Sequence, residues 1–198
     1  MAKGLFIVFE GPDGAGTTTH AALLAERLKR EGREVLLTAE PTDGQYGSKA
    51  RALLREKSAP ESKEIQELFA LDRKEHIETV IKPALDAGKI VICDRYIPST
   101  LVYGEVQNFG LEWLKSLNKN FIQPDCTFLL LPPFSVGAKR LERRKTRDLF
   151  EVEQFQQKVY EGYARYAKAH PEVRVFDTSK STDASEEEIW EALKGMLG

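Results

Sequence analysis

Short, continuous apolar runs alternate with amphipathic stretches along the chain. Residues 5–9 (LFIVF) and 90–93 (IVIC) are such runs, which are typical of strands covered on both faces of a sheet. Further strands are predicted at 34–38, 127–131 and 174–176. Apolar residues that recur every three or four positions predict the helices. These helices are expected at 18–31, 48–55, 62–87 with a bend near Pro83, 111–120, 135–145, around 152–166 and around 189–197.

The alternation of strands and helices predicts an α/β fold. We expect a five-stranded parallel sheet with helices on both faces. Ligands of such folds bind beyond the carboxyl ends of the strands, so the residues that follow each strand are the candidates for a functional site.

Composition and charge narrow the possible partners. The 198 residues include 29 Lys and Arg against 31 Asp and Glu, so the net charge is −2. This length predicts one domain over residues 1–198, and the balance argues against a nucleic-acid binder, which carries a marked basic excess. No apolar run approaches the ~20 residues of a membrane span. Cys93 and Cys126 lie in apolar runs, as buried thiols of a reducing compartment do, so a cytoplasmic protein without membrane partners is expected.

A glycine-rich loop follows the first predicted strand. In residues 10–19 (EGPDGAGTTT), Gly11 and Gly16 have the spacing of the phosphate-binding pattern G-x-x-x-x-G-K-S/T, and Thr18 stands at its Ser/Thr position, where a hydroxyl suits Mg²⁺. Glycines let backbone N–H groups turn around phosphate oxygens, and the N-terminus of the next helix adds partial positive charge. We therefore predict an ATP phosphate site made of Gly11, Asp13, Gly14, Ala15, Gly16, Thr17, Thr18 and Thr19.

The lysine of this pattern is absent, because Thr17 stands in its place. The backbone of the loop can still surround an anion, but the charge that would reach the terminal phosphates is lost. By analogy with a lost oxyanion donor, this loss raises the barrier by about 3 kcal/mol unless another cation substitutes.

Four further motifs accompany the loop in order along the chain. They are residues 40–42 (EPT), 68–73 (LFALDR), 94–103 (DRYIPSTLVY) and 147–151 (RDLFE). With these motifs and residues 9–16 (FEGPDGAG), the whole chain resembles the thymidylate kinase family of P-loop nucleoside monophosphate kinases. The resemblance implies a P-loop kinase fold with a short lid, a homodimer, and transfer of the γ-phosphoryl group of ATP to dTMP with Mg²⁺.

The resemblance also implies how the nucleotide base and sugar are recognised. Phe69 and Arg73 are four positions apart and share one helix face. In the family, the aromatic ring stacks on thymine and the arginine points at the base. Ser99 and Thr100 correspond to the polar contacts to the edge of thymine. Tyr103 corresponds to the residue that crowds the ribose 2′ position and so selects deoxyribose.

Four charged residues are implied to act on the phosphates, the sugar hydroxyl and the metal. Arg95 would bind the phosphates between donor and acceptor, since its planar guanidinium contacts oxygens in pairs. Asp94 would hold Mg²⁺ through water, with Thr18. Asp13 would accept a hydrogen bond from the sugar 3′-OH, and Arg51 would hold the acceptor phosphate.

Residues 139–151 coincide with the lid of the family, the segment that closes over ATP. Six of the nine residues at 139–147 are basic, a pattern that usually marks a solvated helix face. Some family members carry a catalytic arginine in the lid and not in the phosphate loop. We therefore hypothesise that the cation missing at Thr17 comes from Arg143, Arg144 or Arg147.

Two other functions fit the same motifs. One is a kinase for another nucleotide, such as dUMP or dCMP. The other is a nucleotide-binding protein with little catalysis, which the missing lysine motivates. A GTP-driven switch fits poorly, because residues 179–183 (SKSTD) miss the guanine-reading pattern N/T-K-x-D by one position.

Overall fold

Five parallel strands form one sheet in the computed structural model, which describes residues 4–55, 62–142 and 149–197, with side chains from residue 153 onward in the last range. The strands are β1 (Leu5–Glu10), β2 (Val35–Ala39), β3 (Ile90–Asp94), β4 (Cys126–Leu130) and β5 (Arg174–Phe176). Their order across the sheet is β2-β3-β1-β4-β5. The predicted α/β fold is confirmed, and each strand lies within one residue of its predicted bounds.

The position of a strand in the sheet decides how far it is buried. β1, β3 and β4 occupy the middle and are almost completely covered. β2 and β5 form the edges, and their residues Leu37 and Val175 are exposed. Continuous apolar runs therefore correspond to the central strands, as expected for strands packed on both faces.

Helices cover both faces of the sheet, as predicted. They are α1 (Thr17–Arg30), α2 (Gln45–Arg55), α3 (Lys63–His76), α4 (Lys82–Asp86), α5 (Ile97–Val106), α6 (Leu111–Asn118), α7 (Phe134–Glu142), α8 (Leu149–Ala169) and α9 (Thr182–Lys194). Successive residues of β1 point to opposite faces. Phe9 joins a core with Leu24 of α1 and Trp190 of α9, whereas Val8 joins a second core with Leu114 of α6. Within the described ranges, no helix is long and apolar enough to cross a membrane.

The apolar pattern misses α5 altogether. Most residues of this helix are buried, so it lacks the polar face that would give a three-to-four periodicity. Pro98 stands in its first turn, where a missing N–H breaks no helical hydrogen bond. Because α5 directly follows β3, it carries several residues of the site.

The long helix predicted over 62–87 is interrupted, and the prediction of one bent helix needs this correction. α3 and α4 are joined by a π-helical turn at Ile77–Ile81. The turn directly precedes Pro83 and Lys82, and proline cannot donate the backbone hydrogen bond of a regular helix. The helix predicted over 135–145 is seen over Phe134–Glu142, and the rest of that prediction lies outside the described residues.

Candidate active site

The phosphate loop joins β1 to α1 at the carboxyl edge of the sheet. Gly14 and Gly16 have φ values of 81° and 95°, which glycine adopts without strain. At Gly14 a side chain is also excluded by space, since an added Cβ would lie 2.5 Å from the carbonyl oxygen of Gly137 in α7. The loop therefore needs glycine for its turn and for the close packing of α7.

A polar cavity of about 510 Å³, which we call the loop cavity, opens at the N-terminus of α1. Its walls are Pro12, Asp13, Gly14, Gly16, Thr17, Thr18, Thr19, His20, Arg95, Arg140, Leu141 and Thr182. The backbone N–H groups of a helix N-terminus attract anions. The loop cavity is therefore suited to a polyphosphate, in the place that the glycine spacing predicts.

Two arginines supply positive charge on the described wall of the loop cavity. Arg95 follows β3. Arg140 in α7 donates to the carbonyl oxygens of Gly14 at 3.1 Å and of Thr178 at 2.7 Å. Thr17, at the position of the missing lysine, is a neutral part of the same wall. The positive side-chain charge on the described wall therefore comes from residues outside the loop itself.

Thr18 and Asp94 are brought together as the sequence predicts. The hydroxyl of Thr18 donates to Oδ2 of Asp94 at 2.5 Å. Oδ1 of Asp94 is buried and has no hydrogen-bond partner among the described residues. Mg²⁺ prefers carboxylate, hydroxyl and water oxygens. The pair and its unpartnered oxygen therefore fit a magnesium ion held together with its waters.

Arg95 lies between the phosphate loop and α5. Its backbone has a φ of 71°, which is uncommon for a residue with a side chain. Its guanidinium donates to Oδ1 of Asp13 at 2.7 Å, to the carbonyl oxygen of Gly11 at 3.1 Å and to Oγ of Ser99 at 3.3 Å. An uncommon backbone conformation at a residue whose side chain makes several hydrogen bonds is typical of a functional position.

Glu10, the last residue of β1, organises the start of α5. Its buried carboxylate accepts hydrogen bonds from the backbone N of Tyr96 at 2.7 Å and of Ser99 at 3.2 Å. It also accepts from the hydroxyls of Ser99 at 2.7 Å and Tyr163 at 2.9 Å. Burial raises the pKa of Glu10, and Arg95 and these hydrogen bonds oppose the rise. Glu10 thereby fixes the backbone next to Arg95.

A second, largely apolar cavity of about 320 Å³ lies between α3 and α5, and we call it the helix cavity. Its walls are Glu40, Pro41, Leu54, Ile65, Gln66, Phe69, Asp72, Arg73, Arg95, Tyr96, Ser99, Thr100, Tyr103, Gln107 and Phe155. Five of the residues predicted to recognise the base and the sugar are on this wall, namely Phe69, Arg73, Ser99, Thr100 and Tyr103, whereas Asp13, predicted to bind the sugar 3′-OH, lines the loop cavity. Arg95 lines both the helix cavity and the loop cavity.

Arg73 is buried on the wall of the helix cavity and held on several sides. Its Nε donates to Oε2 of Glu40 at 2.8 Å, and its Nη1 donates to Oγ1 of Thr100 at 3.1 Å and to Oδ1 of Asn118. The guanidinium lies 4.9 Å from the ring centroid of Tyr96. Its charge is compensated by Glu40, and its plane has a fixed orientation at the cavity wall.

Tyr103 links the helix cavity to the phosphate loop. Its hydroxyl donates to Oδ1 of Asp13 at 3.1 Å, and the Arg95 guanidinium lies 5.6 Å from its ring centroid. Burial raises the pKa of Tyr103, so the phenol stays neutral. Asp13 therefore contacts both Arg95 and the residue predicted to select the sugar.

Arg51 lines neither cavity. It lies in α2 and donates to the carbonyl oxygen of Pro41 at 2.6 Å and to Oδ1 of Asp43 at 2.7 Å. These contacts hold the turn after β2 against α2. Its role toward the acceptor phosphate stays a prediction. The predicted lid cations, which lie outside the described residues, are Arg143, Arg144 and Arg147.

Besides Glu10, sequence reasoning missed three residues from helices around the phosphate loop. His20 of α1 and Arg140 of α7 line the loop cavity, and Gln156 of α8 donates to Oδ2 of Asp13 at 2.9 Å. Burial and the neighbouring Arg140 lower the pKa of His20, which favours the neutral ring. The three side chains reach the loop from three different helices, so no common spacing marks them. The basic run at 139–147 is the one sequence signal, and it points to Arg140.

A buried group with metal-ligating atoms lies beside the helix cavity. Glu40, His76 and Cys93 have ligand atoms within 4.8 Å of one another. Each is already engaged: Glu40 accepts from Arg73, Nδ1 of His76 lies 3.0 Å from Glu40, and the Cys93 thiol donates to the carbonyl oxygen of Arg95. Burial raises the pKa of Cys93, which disfavours the thiolate that a metal binds. We assign this group to structural hydrogen bonding.

Comparisons with known proteins identify the family. The family model described as Thymidylate kinase matches residues 9–189. A probable thymidylate kinase of Thermococcus kodakarensis is 39% identical, and the match covers 98% of this chain and 99% of that protein. The chain belongs to the thymidylate kinase family.

Two further thymidylate kinases extend the likeness. That of Exiguobacterium sibiricum is 37% identical over 94% of this chain and 92% of its own length. The crystal structure of thymidylate kinase from Ehrlichia chaffeensis matches with a TM-score of 0.78 at 30% identity, and covers 96% of this chain and 99% of that one. As a thymidylate kinase family member with this P-loop kinase fold, the chain is a nucleoside monophosphate kinase.

Proposed function

We propose that the chain phosphorylates dTMP to dTDP with the γ-phosphoryl group of ATP. The observation that carries this proposal is that Arg95 lines both the loop cavity and the helix cavity. Phosphoryl transfer needs a donor and an acceptor in line, with positive charge between them. ATP would bind in the loop cavity and dTMP in the helix cavity, so that their phosphates meet at Arg95.

The phosphoryl transfer depends on alignment and charge neutralisation. Backbone N–H groups of the loop and of α1 bind the donor phosphates, and the planar guanidinium of Arg95 binds oxygens in pairs. A phosphate monoester has a second pKa of about 6, so the acceptor is largely dianionic at neutral pH and needs no general base. Closure of the lid, predicted at residues 139–151, would keep water from the reacting phosphate.

Magnesium is expected at Thr18 and Asp94. A magnesium ion bound there would supply positive charge against the donor phosphates. The Thr18 hydroxyl and the Asp94 carboxylate would hold the ion with its waters. The unpartnered buried oxygen of Asp94 supports this assignment.

The walls of the helix cavity support a pyrimidine deoxynucleotide as acceptor. Phe69 offers a ring on which a base can stack, and Arg73 with Thr100 offers donors and acceptors to the base edge. Tyr103 would crowd the ribose 2′ position of a nucleotide bound here, as in the family. All four line the cavity, and together they favour dTMP over a ribonucleotide.

Arginines would supply the charge that Thr17 does not. Arg95 and Arg140 line the loop cavity. Arginine keeps its charge at any physiological pH, so this supply does not depend on titration. The lid candidates for the same role remain Arg143, Arg144 and Arg147.

A homodimer in the cytoplasm, built from one domain of residues 1–198, completes the proposal. The dimer rests on the family likeness. The cytoplasmic location rests on the two buried free thiols of Cys93 and Cys126, which suit a reducing compartment. Light scattering coupled to size-exclusion chromatography tests the dimer.

The purified chain with MgATP and dTMP is the direct test, with dTDP separated and quantified by chromatography. dUMP and dCMP are assayed in parallel. We expect dTDP formation with a preference for dTMP. Preference for another monophosphate would replace the substrate. Binding of dTMP without any dTDP would support the nucleotide-binding alternative that Thr17 motivates.

A further inference from the structure

Gln156 in α8 is a buried side chain that reaches the phosphate loop. It is 7% exposed, and its Nε2 donates to Oδ2 of Asp13 at 2.9 Å. Its Oε1 is buried and has no hydrogen-bond partner among the described residues. A buried oxygen without a hydrogen-bond partner is unfavourable. The hydrogen bond to Asp13 is therefore the favourable contact that a polar side chain makes at this position.

Asp13 is held through both of its carboxylate oxygens. Oδ1 accepts from Nη2 of Arg95 at 2.7 Å and from the hydroxyl of Tyr103 at 3.1 Å, while Oδ2 accepts from Gln156. The torsion that rotates a carboxylate plane is broad, so donors on both oxygens restrict it. Because Asp13 pairs with Arg95, the plane of the carboxylate sets the direction of the guanidinium.

The same helix supports this group at a second point. Tyr163 comes seven residues after Gln156 and therefore lies on the same face of α8. Its hydroxyl lies 3.5 Å from Nη1 of Arg95 and 2.9 Å from Oγ of Ser99. α8 thus contacts Asp13 through Gln156 and Arg95 through Tyr163.

We propose that Gln156 is a positioning residue, whose neutral amide orients the Asp13 carboxylate so that Arg95 faces both cavities. The proposal rests on the role of Arg95 in the proposed phosphoryl transfer. An amide donates a hydrogen bond without changing charge. A lysine at this position would compete with Arg95 for Asp13, and an ionised carboxylate would repel the Asp13 carboxylate.

The neighbouring Gln157 provides a matched control. It is the next residue of α8 and carries the same side chain, and it donates only to Glu161 at the helix surface, at 2.9 Å, in the described structure. Equal substitutions at Gln157 change the helix and its charge in the same way without touching the loop.

Gln156→Leu removes the amide and keeps a side chain of similar size. We expect kcat to fall about tenfold, because a small misalignment of a catalytic group is costly. The KM for ATP should stay near that of the wild type, since the loop backbone binds the donor phosphates. Gln157→Leu should leave kcat unchanged. Equal kcat in both variants and the wild type would overturn the proposal.

Gln156→Glu gives a readout that a merely structural role would not move. The titratable and charged groups around this position, among the described residues, are Glu10, Asp13, Arg95, Tyr103, Tyr160 and Tyr163. Burial raises the pKa of Tyr103 and of Tyr163, so both phenols stay neutral. The pH dependence of the variant therefore reflects the carboxyl of Asp13 and the carboxyl that the substitution introduces. Turnover is measured at about pH 8.5 and at about pH 5.5, because two ionised carboxyls repel each other whereas a pair that has taken up one proton can form a hydrogen bond. The turnover of the variant relative to the wild type should therefore rise as pH falls.

Wild-type turnover in the same assay separates this inference from the proposed function. An inactive wild type would overturn the phosphoryl transfer, and dTMP affinity by calorimetry at both pH values would then report on Gln156. In that case Gln156→Glu should bind dTMP relatively better at low pH, because Asp13 contacts Tyr103 on the wall of the helix cavity. A ratio to wild type that does not change with pH, or a lowered thermal midpoint with unchanged kcat, would overturn the positioning role.

Discussion

The loop cavity and the helix cavity meet at Arg95 but are built from different parts of the chain. The loop cavity surrounds the N-terminus of α1, where backbone N–H groups are free to bind an anion, whereas most residues that line the helix cavity belong to α3 and α5. Backbone donors do not depend on side-chain identity, so the loop keeps its shape with Thr17 in place of lysine. In the helix cavity, Arg73 and Glu40 line the wall and also form a buried ion pair of the folded protein. Substitutions there should change stability and base recognition together, and substitutions at the loop should change mainly rate.

Arg95 belongs to both cavities, so its loss has the largest expected effect. Arg95→Ala should lower kcat about 10³-fold, since an arginine that stabilises a transferring phosphoryl group contributes about 10³–10⁵. Arg95→Lys keeps the charge without the planar fork and should recover only a small part. Steady-state kinetics with ATP and dTMP measure both effects.

Arg95→Gly separates activity from folding at the same position. The φ of 71° suits glycine, so this variant should have a higher thermal midpoint than Arg95→Ala while kcat stays equally low. Arg165→Ala, at a largely exposed arginine, is the control. A kcat within tenfold of the wild type in any Arg95 variant would contradict the claim that Arg95 acts on the phosphates where the two cavities meet.

The ion pair of Arg73 and Glu40 tests the helix cavity by itself. Nη2 and Oε2 of the two side chains are 2.8 Å apart and almost inaccessible. Arg73→Met leaves the Glu40 carboxylate without its arginine, so the free energy of unfolding should fall by about 3–5 kcal/mol. Denaturant titration measures the loss. The KM for dTMP should rise more than the KM for ATP, which does not use this wall.

Glu40→Gln added to Arg73→Met removes the unpaired charge. The double variant should regain part of the stability without regaining dTMP recognition, because the two residues are coupled in the fold. Lys82→Met, at the exposed pair with Asp86, should leave the unfolding midpoint nearly unchanged. If Arg73→Met is no less stable than this control, the pair is not the structural centre of the helix cavity.

Thr17→Lys tests the loop cavity and has the smallest expected effect. It restores the charge missing from the loop and should raise kcat about tenfold, less than the full value of a catalytic donor. The reason is that Arg95 and Arg140 already line the cavity. Thr19→Lys adds the same charge elsewhere on that wall and tests charge alone. A fall in kcat for Thr17→Lys would mean that the loop is rebuilt around threonine.

Local patterns predict the sheet well and the site in part. The central strands are continuous apolar runs because both of their faces are covered, and the spacing of Gly11 and Gly16 marks the phosphate loop. α5 is not predicted, because a helix buried on most sides has no polar face. Of the residues carried over to the base and the sugar, the five on α3 and α5 line the helix cavity, whereas Asp13 lies in the phosphate loop and lines the loop cavity.

Contacts between distant helices and the loop are beyond any local pattern. Gln156 and Asp13 are 143 positions apart, and Arg140 and Gly14 are 126 apart. No spacing rule relates such pairs, because the contact depends on where whole helices pack. Glu10 is likewise an ordinary last residue of a strand until Ser99 and Tyr163 converge on it.

The sequence by itself determined the five strands, the phosphate loop and the resemblance to the thymidylate kinase family. These features depend on neighbours a few positions apart, which set backbone conformation and burial. For Arg95, which the resemblance places between donor and acceptor, the tertiary structure added the two cavities that it lines, and it alone decided that Gln156 reaches Asp13. The physical reason is the strand order β2-β3-β1-β4-β5, which sets the ends of β1 and β3 side by side, and the packing of α8 against α5 over them.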